Sequence, residues 1–93
     1  MKLIKEDELI LFLEQMSDWK RNGNTIEKEF ILSDFTDALT FIMKCGFIAE
    51  KMDHHPDMLL YSWNKVRITI CTHSLGGITE YDLNLAKQID KIN

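Results

Sequence analysis

Pro56 is the only proline of this 93-residue chain, and it divides the sequence into two kinds of pattern. Its ring fixes φ and removes a backbone donor, so no helix runs through it, and it biases His55 toward an extended conformation. Before it lies a long helical stretch. Ser33 is placed as an N-cap, with Thr36 where a Glu would complete a capping box. Phe35, Ala38, Leu39, Ile42, Gly46 and Ala49 follow as one apolar stripe, widened by Met43 and Phe47. Gly46 costs up to about 1 kcal/mol against Ala inside a helix, and a close approach of helix to sheet would account for it. After Pro56, Met58 to Trp63 and Val66 to Thr72 are strand-like, with Asn64-Lys65 as the hairpin loop between them.

The same alternation recurs on either side. Leu9, Phe12, Leu13 and Met16 mark one face of a first helix, whose N-terminal end Glu6 or Asp7 can serve. Arg21-Asn22-Gly23-Asn24 is a turn between Ser17–Lys20 and Thr25–Ile31, a first hairpin of two short strands. Gly76-Gly77 breaks the chain after the second hairpin. Thr79 then opens a third helix with Ile78, Asp82, Leu85, Ala86 and Ile89 on its inner stripe. The predicted order is α-β-β-α-β-β-α. That is an α+β fold in which three helices cover one face of a four-stranded antiparallel sheet. Residues 1–93 are expected to form one domain, since the length leaves no room for a second. A domain this small gains stability by associating with copies of itself.

Charge and hydropathy narrow the function. The net charge is −4 with both signs interspersed, so no basic stripe tracks a phosphate backbone and nucleic-acid binding is disfavoured. No apolar run approaches the roughly 20 residues of a membrane span. The start, Met1-Lys2-Leu3-Ile4-Lys5-Glu6-Asp7, turns acidic too early for a signal peptide. Cys45 and Cys71 lack metal-type spacing and read as reduced thiols of a cytoplasmic protein.

All three histidines, His54, His55 and His73, fall between Glu50 and Ser74. Histidine titrates nearer neutral pH than any other side chain, so the clustering suggests proton chemistry. With a two-residue loop and regular pairing, Trp63 faces Val66, Tyr61 faces Ile68, and Leu59 faces Ile70. His73 then lies opposite Pro56, and Ser74 opposite His55. The three imidazoles converge at the end of the hairpin away from its turn. His54 and His73 share a face as a pair, and His55 points the other way. Glu50, Asp53 and Asp82 add carboxylates that can orient an imidazole and set its tautomer.

Plainer readings exist for each feature. His54-His55-Pro56 can be a solvated turn, and Asp82 can be the third residue of a Thr79-x-x-Asp82 capping box. Glu50 can be simply exposed. Trp19, Tyr61 and Trp63 read as core or interface, and the methionines as filler. Three His with a carboxylate could hold zinc, although His54 and His55 would point in opposite directions on an extended chain.

Four blocks together resemble a known family. They are Ala49-Glu50-Lys51-Met52-Asp53-His54-His55-Pro56, Tyr61-Ser62-Trp63-Asn64-Lys65-Val66, Ile68-Thr69-Ile70-Cys71-Thr72-His73, and Gly77-Ile78-Thr79-Glu80-Tyr81-Asp82-Leu83-Asn84-Leu85-Ala86. In order and spacing they resemble pterin-4a-carbinolamine dehydratase over about half the chain. The resemblance implies the same fold, in dimers or tetramers with sheets joined edge to edge and helices packed between dimers. It implies dehydration of 4a-hydroxytetrahydrobiopterin, a pterin substrate, to quinonoid dihydropterin in tetrahydrobiopterin recycling, with no metal and no organic cofactor. On the family pattern His54 and His73 are the acid–base candidates, and His55 positions the pterin. Glu50, Asp53 and Asp82 tune them, and Pro56, Thr72 and Ser74 complete the binding surface. The chain departs from the pattern at Met58-Leu59-Leu60 and Leu75-Gly76, on the pocket rim. The alternative is a protein-binding module, a dimerisation cofactor of a transcription factor or an assembly factor. It would use the helix surface and would not need three intact His.

Overall fold

A computed structural model describes residues 1–92; Asn93, the last residue of the expected domain, lies outside the described residues. The elements follow the expected order: α1 Glu6–Gln15, β1 Lys20–Asn22, β2 Thr25–Ile31, α2 Phe35–Met52, β3 Asp57–Tyr61, β4 Lys65–Ile70 and α3 Glu80–Asp90. A short 3-10 turn, His73–Leu75, links β4 to α3. The four strands form one antiparallel sheet in the order β1-β2-β4-β3. Side chains alternate across it. Ile26 of β2 and Val66, Ile68 and Ile70 of β4 are fully buried in the core, together with Leu85, Ala86 and Ile89 of α3. The opposite face carries Glu29 and Arg67, register partners whose side chains pair at 2.5 Å. Tyr61 also donates to Glu29. Burial pulls the Glu29 carboxyl up, but these two donors together outweigh it and hold it below the usual carboxylate range.

Gly23 has the positive φ (63°) that a tight hairpin loop asks of its first residue. β1 is displaced from the expected strand: Arg21 and Asn22, expected in the turn, pair with Ile26 and Thr25, so the turn is Gly23-Asn24. Asp18 turns left-handed (φ 70°) and Trp19 enters the core, so Ser17–Trp19 lies outside the strand. The Trp19 indole N–H donates to Asp90 (3.0 Å) and Lys28 pairs with the same carboxylate (2.9 Å), tying the sheet to the end of α3. In α1 the buried face is Leu9 and Phe12, with Leu13 and Met16 half-buried. Glu6 and Asp7 occupy its first turn, where the helix dipole favours negative charge, but the N-cap itself is Lys5.

α2 departs from the expected pattern in three ways. Its N-cap is Asp34, whose Oδ1 accepts from the Asp37 N–H at 2.7 Å. Ser33 instead donates through its N–H and its hydroxyl to Asp37 Oδ2, at 3.3 and 3.0 Å. Asp37 supplies the returning carboxylate that Thr36 cannot, which moves the cap on by one residue. Second, the buried face is Ala38, Phe41, Cys45 and Ala49, while Phe35, Leu39, Met43 and Phe47 are exposed. The helix is apolar on two sides. The side with small residues faces the core, where Ala38, Cys45 and Ala49 leave room for Phe41 to stack on Phe30 (centroids 4.7 Å apart). Third, Gly46 lies off the packed face, and a Cβ there meets nothing within 4 Å.

The second hairpin is offset from the expected register by three residues. Tyr61 pairs with Lys65 and Leu60 with Val66, so the loop is Ser62-Trp63-Asn64. Asn64 is buried, exchanging bonds with Leu32: its side chain donates to Leu32 O (3.0 Å), and its carbonyl accepts from Leu32 N–H (2.8 Å). That anchorage takes Asn64 out of the tip and forces Ser62 and Trp63 to positive φ (46° and 60°). An odd offset exchanges the faces of β3. Met58 and Leu60 pack on the core, Leu59 and Trp63 are exposed, and Tyr61 lies with Glu29 on the outer face. Among the described residues, no helix is long and apolar enough to cross a membrane.

Because the space at Gly46 is open, Gly46→Ala is expected to raise stability by about 0.5–1 kcal/mol in urea denaturation. A loss of stability would contradict that open space.

Candidate active site

Asp53 ends α2 in the left-handed region (φ 52°), and the His54 N–H turns back to Ala49 O at 3.0 Å. This tight exit sends the His54 side chain inward, where it is 12% exposed, to meet Asp82. The contact is short: His54 Nε2 lies 2.6 Å from Asp82 Oδ1. The observed pairing explains the meeting. Carried three residues past Asp57 and Thr69, it puts His54 level with Thr72 rather than His73 opposite Pro56 or Ser74 opposite His55. Thr72 is buried, and its hydroxyl donates to Asp82 Oδ2 at 2.8 Å.

Asp82 is fully buried in the first turn of α3. Its Oδ2 also accepts the Thr79 backbone N–H at 2.7 Å, the reciprocal half of the capping box read in the sequence. A buried carboxylate is costly unless donors meet it, and here they do, beside a helix N-terminus that favours negative charge. Oδ2 accepts from the Thr72 hydroxyl and the Thr79 amide, and with Asp82 as a carboxylate Oδ1 is an acceptor too. His54 Nε2 is then the donor, which leaves Nδ1 as the free position of the ring. The Tyr81 ring meets the His54 ring edge-on, with centroids 5.8 Å apart.

His55 belongs to a second, separate pair. Its Nε2 lies 2.7 Å from Glu50 Oε1, and both side chains are exposed. Glu50 therefore serves His55 and not His54. Asp53 is exposed and acts through its backbone as the helix terminator, and Pro56 follows half-buried before β3. His73 opens the 3-10 turn, exposed, with its ring nitrogens 3.6 and 3.9 Å from Cys71 Sγ. Burial first, then the charges of Asp82 and Asp57, push the Cys71 thiol up. Ser74 is exposed in the same turn. This loop is held on two sides: Ile4 N–H donates to Ile78 O (2.8 Å) and Asn24 to Gly76 O (3.2 Å).

The structure thus gathers His54, Thr72 and Asp82, sets His55 with Glu50, and places His73 directly after Thr72. Thr79, Tyr81 and Cys71 join the site without having been singled out for it. The Thr79-x-x-Asp82 spacing was the available signal for the first; the other two stand in the blocks that carry the family resemblance, where they were given no role. Among the described residues, no group of three or more His, Cys, Asp or Glu is placed to hold a metal ion. His54 and His55 each engage a different carboxylate. Chemically, an imidazole oriented by a buried carboxylate, beside further exposed imidazoles, suits the transfer of protons to and from a bound molecule.

Comparison with known proteins identifies the family and supports the fold. The family model described as pterin 4 alpha carbinolamine dehydratase matches residues 2–92. A Sulfurisphaera tokodaii protein provisionally named pterin-4-alpha-carbinolamine dehydratase is 45% identical, over 99% of this chain and 98% of its own. A Prochlorococcus marinus protein with the same provisional name is 41% identical, over 99% and 96%. The crystal structure of a transcriptional coactivator/pterin dehydratase from Brucella melitensis superposes with a TM-score of 0.92 at 31% identity, covering 98% of both chains. A pterin dehydratase-like protein described as a RuBisCO assembly factor in the alpha-carboxysome shares the fold, with a TM-score of 0.63 at 18% identity over 78% of this chain and 83% of its own. The chain belongs to the pterin-4a-carbinolamine dehydratase family.

The two His–carboxylate pairs should differ in what they contribute to folding. Asp82→Ala strands buried donors at Thr79 and Thr72, and is expected to cost about 1–3 kcal/mol or more in denaturant unfolding. Glu50→Ala breaks an exposed pair and should change stability by less than about 0.5 kcal/mol. Equal costs would contradict the assignment of Asp82 as the buried hub.

Proposed function

We propose that the protein dehydrates 4a-hydroxytetrahydropterin to quinonoid dihydropterin and water. The reaction would restore the tetrahydrobiopterin cofactor after aromatic hydroxylation, in the cytoplasm and without a metal or organic cofactor. The observation that carries this reading is the buried His54–Asp82 pair, with Nε2 and Oδ1 2.6 Å apart, in a chain of the dehydratase family. Asp82 occupies Nε2, so His54 Nδ1 takes the proton from ring N5. The N5 electron pair forms the C4a=N5 bond as the C4a–O bond breaks. Protonated His73 delivers a proton to the departing hydroxyl, which leaves as water. One imidazole gains a proton and the other loses one, so exchange with solvent restores both without a change in net charge. His55, steadied by Glu50, positions the pterin, with Asp53, Pro56 and Ser74 beside it.

A specific observation favours a second role on the same fold. The α2 residues Phe35, Leu39, Met43 and Phe47 form an exposed apolar stripe. Exposed apolar surface of this kind marks association, and the Brucella protein is named both coactivator and dehydratase. The stripe suits a second copy of the chain in a homodimer or homotetramer, and also a protein partner of an assembly or coactivator type.

Stopped-flow decay of chemically generated 4a-hydroxytetrahydropterin tests the catalytic reading. Wild type accelerates the decay, while His54→Ala and His73→Ala each lose about 10²–10⁴-fold, the usual contribution of a positioned acid or base. His55→Ala acts mainly on KM. A wild-type rate equal to the spontaneous one sinks the enzyme reading. For the α2 stripe, Phe47→Glu is expected to lower the mass seen by light scattering after gel filtration. An unchanged mass would remove that face from any self-association.

A further inference from the structure

We propose that Thr79 and Thr72 are positioning residues for catalysis, forming a one-way chain of hydroxyls that keeps Asp82 Oδ1 committed to His54. The inference rests on the dehydratase reading and gives two buried side chains a role in it; for Thr72 it replaces the expected contact of the side chain with the pterin.

The direction of the chain follows from the distances. The Tyr81 backbone N–H donates to Thr79 Oγ1 at 3.3 Å. Thr79 Oγ1 lies 2.8 Å from Thr72 Oγ1, and Thr72 Oγ1 lies 2.8 Å from Asp82 Oδ2. Thr79 Oγ1 is 3.4 Å from that same oxygen, too long to compete. Each hydroxyl has one proton to give, and an ionised carboxylate can only accept. The Thr72 proton therefore points at Asp82. The Thr79 proton points at Thr72, and the Tyr81 amide closes the start of the chain. Thr79 and Asp82 are 0% exposed and Thr72 4%, so solvent does not compete at these atoms.

Helix capping alone does not require this arrangement. The cap is complete with Tyr81 N–H on Thr79 and Thr79 N–H on Asp82. Thr72 lies on the other side of the loop, where it precedes the 3-10 turn; its hydroxyl makes no capping bond there and goes to the same carboxylate oxygen. Its effect is to saturate Oδ2, which leaves Oδ1 to His54. Without the Thr72 hydroxyl, Oδ2 keeps one strong donor. The carboxylate can then turn or draw a proton, and the Nε2–H form of His54 is no longer enforced. A polar network of this kind acts as a unit in a low-dielectric interior.

The test compares Thr72→Val, Thr72→Ser and Thr79→Ser with wild type, in stopped-flow kinetics on 4a-hydroxytetrahydropterin and in long-range ¹H–¹⁵N correlation of His54. Thr72→Val is expected to lower kcat about ten- to hundredfold, the loss typical of groups that orient a functional His. KM should stay within about twofold. The Nε2–H tautomer of His54 should lose population. Both Ser variants keep a hydroxyl and should restore wild-type behaviour. Should Thr72→Val not fold, Thr72→Cys, with a weak donor in the same place, carries the same expectation at smaller size. A Thr72→Val protein with wild-type kcat and an unchanged tautomer overturns the proposal, and so does a change confined to KM. The tautomer measurement needs no turnover. An inactive wild type would therefore sink the dehydratase reading while leaving the hydroxyl chain still decided by the spectrum.

Discussion

One buried negative charge organises the functional end of this molecule. Asp82 is fully buried, and a carboxylate in that position persists only if donors replace the water it has lost. The donors come from three separate pieces of chain: the Thr79 amide at the start of α3, the Thr72 hydroxyl after β4, and His54 after α2. Satisfying one side chain therefore fixes how three segments meet. The cap that starts α3 and the contact that orients an imidazole use the two oxygens of one carboxylate, so the imidazole is tied to the helix entry.

That arrangement explains what could be read from the sequence and what could not. The order of elements was legible because Pro56, Gly23 and Gly76-Gly77 punctuate it and the stripes between them have clear periods. The inner stripe of α3, Ile78, Asp82, Leu85, Ala86 and Ile89, is buried as its spacing predicts. The capping box at Thr79 and Asp82 was legible too, and Asp82 was also read as a carboxylate able to orient an imidazole, which the family resemblance strengthened.

The rest depended on tertiary choices. The face of α2 was ambiguous because the helix is apolar on two sides, and only packing selects Ala38, Cys45 and Ala49 for the core. The hairpin register turned on Asn64. It reads as a loop residue and is in fact anchored to Leu32, a contact 32 residues away in sequence. The three-residue offset put Thr72 level with His54, where the expected register put Leu75, and took His73 from its place opposite Pro56. Glu50, one of three carboxylates expected near the histidines, pairs with His55. Local pattern does not predict that register, because it follows from where a distant strand ends.

The central claim is that Asp82 stands ionised at neutral pH and thereby gives His54 its Nε2 proton and its free Nδ1. The most direct measurement is the ¹³C carboxyl resonance of Asp82 in the folded wild-type protein, recorded in H₂O and D₂O at neutral pH. The account predicts the shift of an ionised carboxylate, without the isotope displacement of a protonated acid. A protonated Asp82 at neutral pH would reverse the direction of the hydrogen bond to His54 and contradict the account.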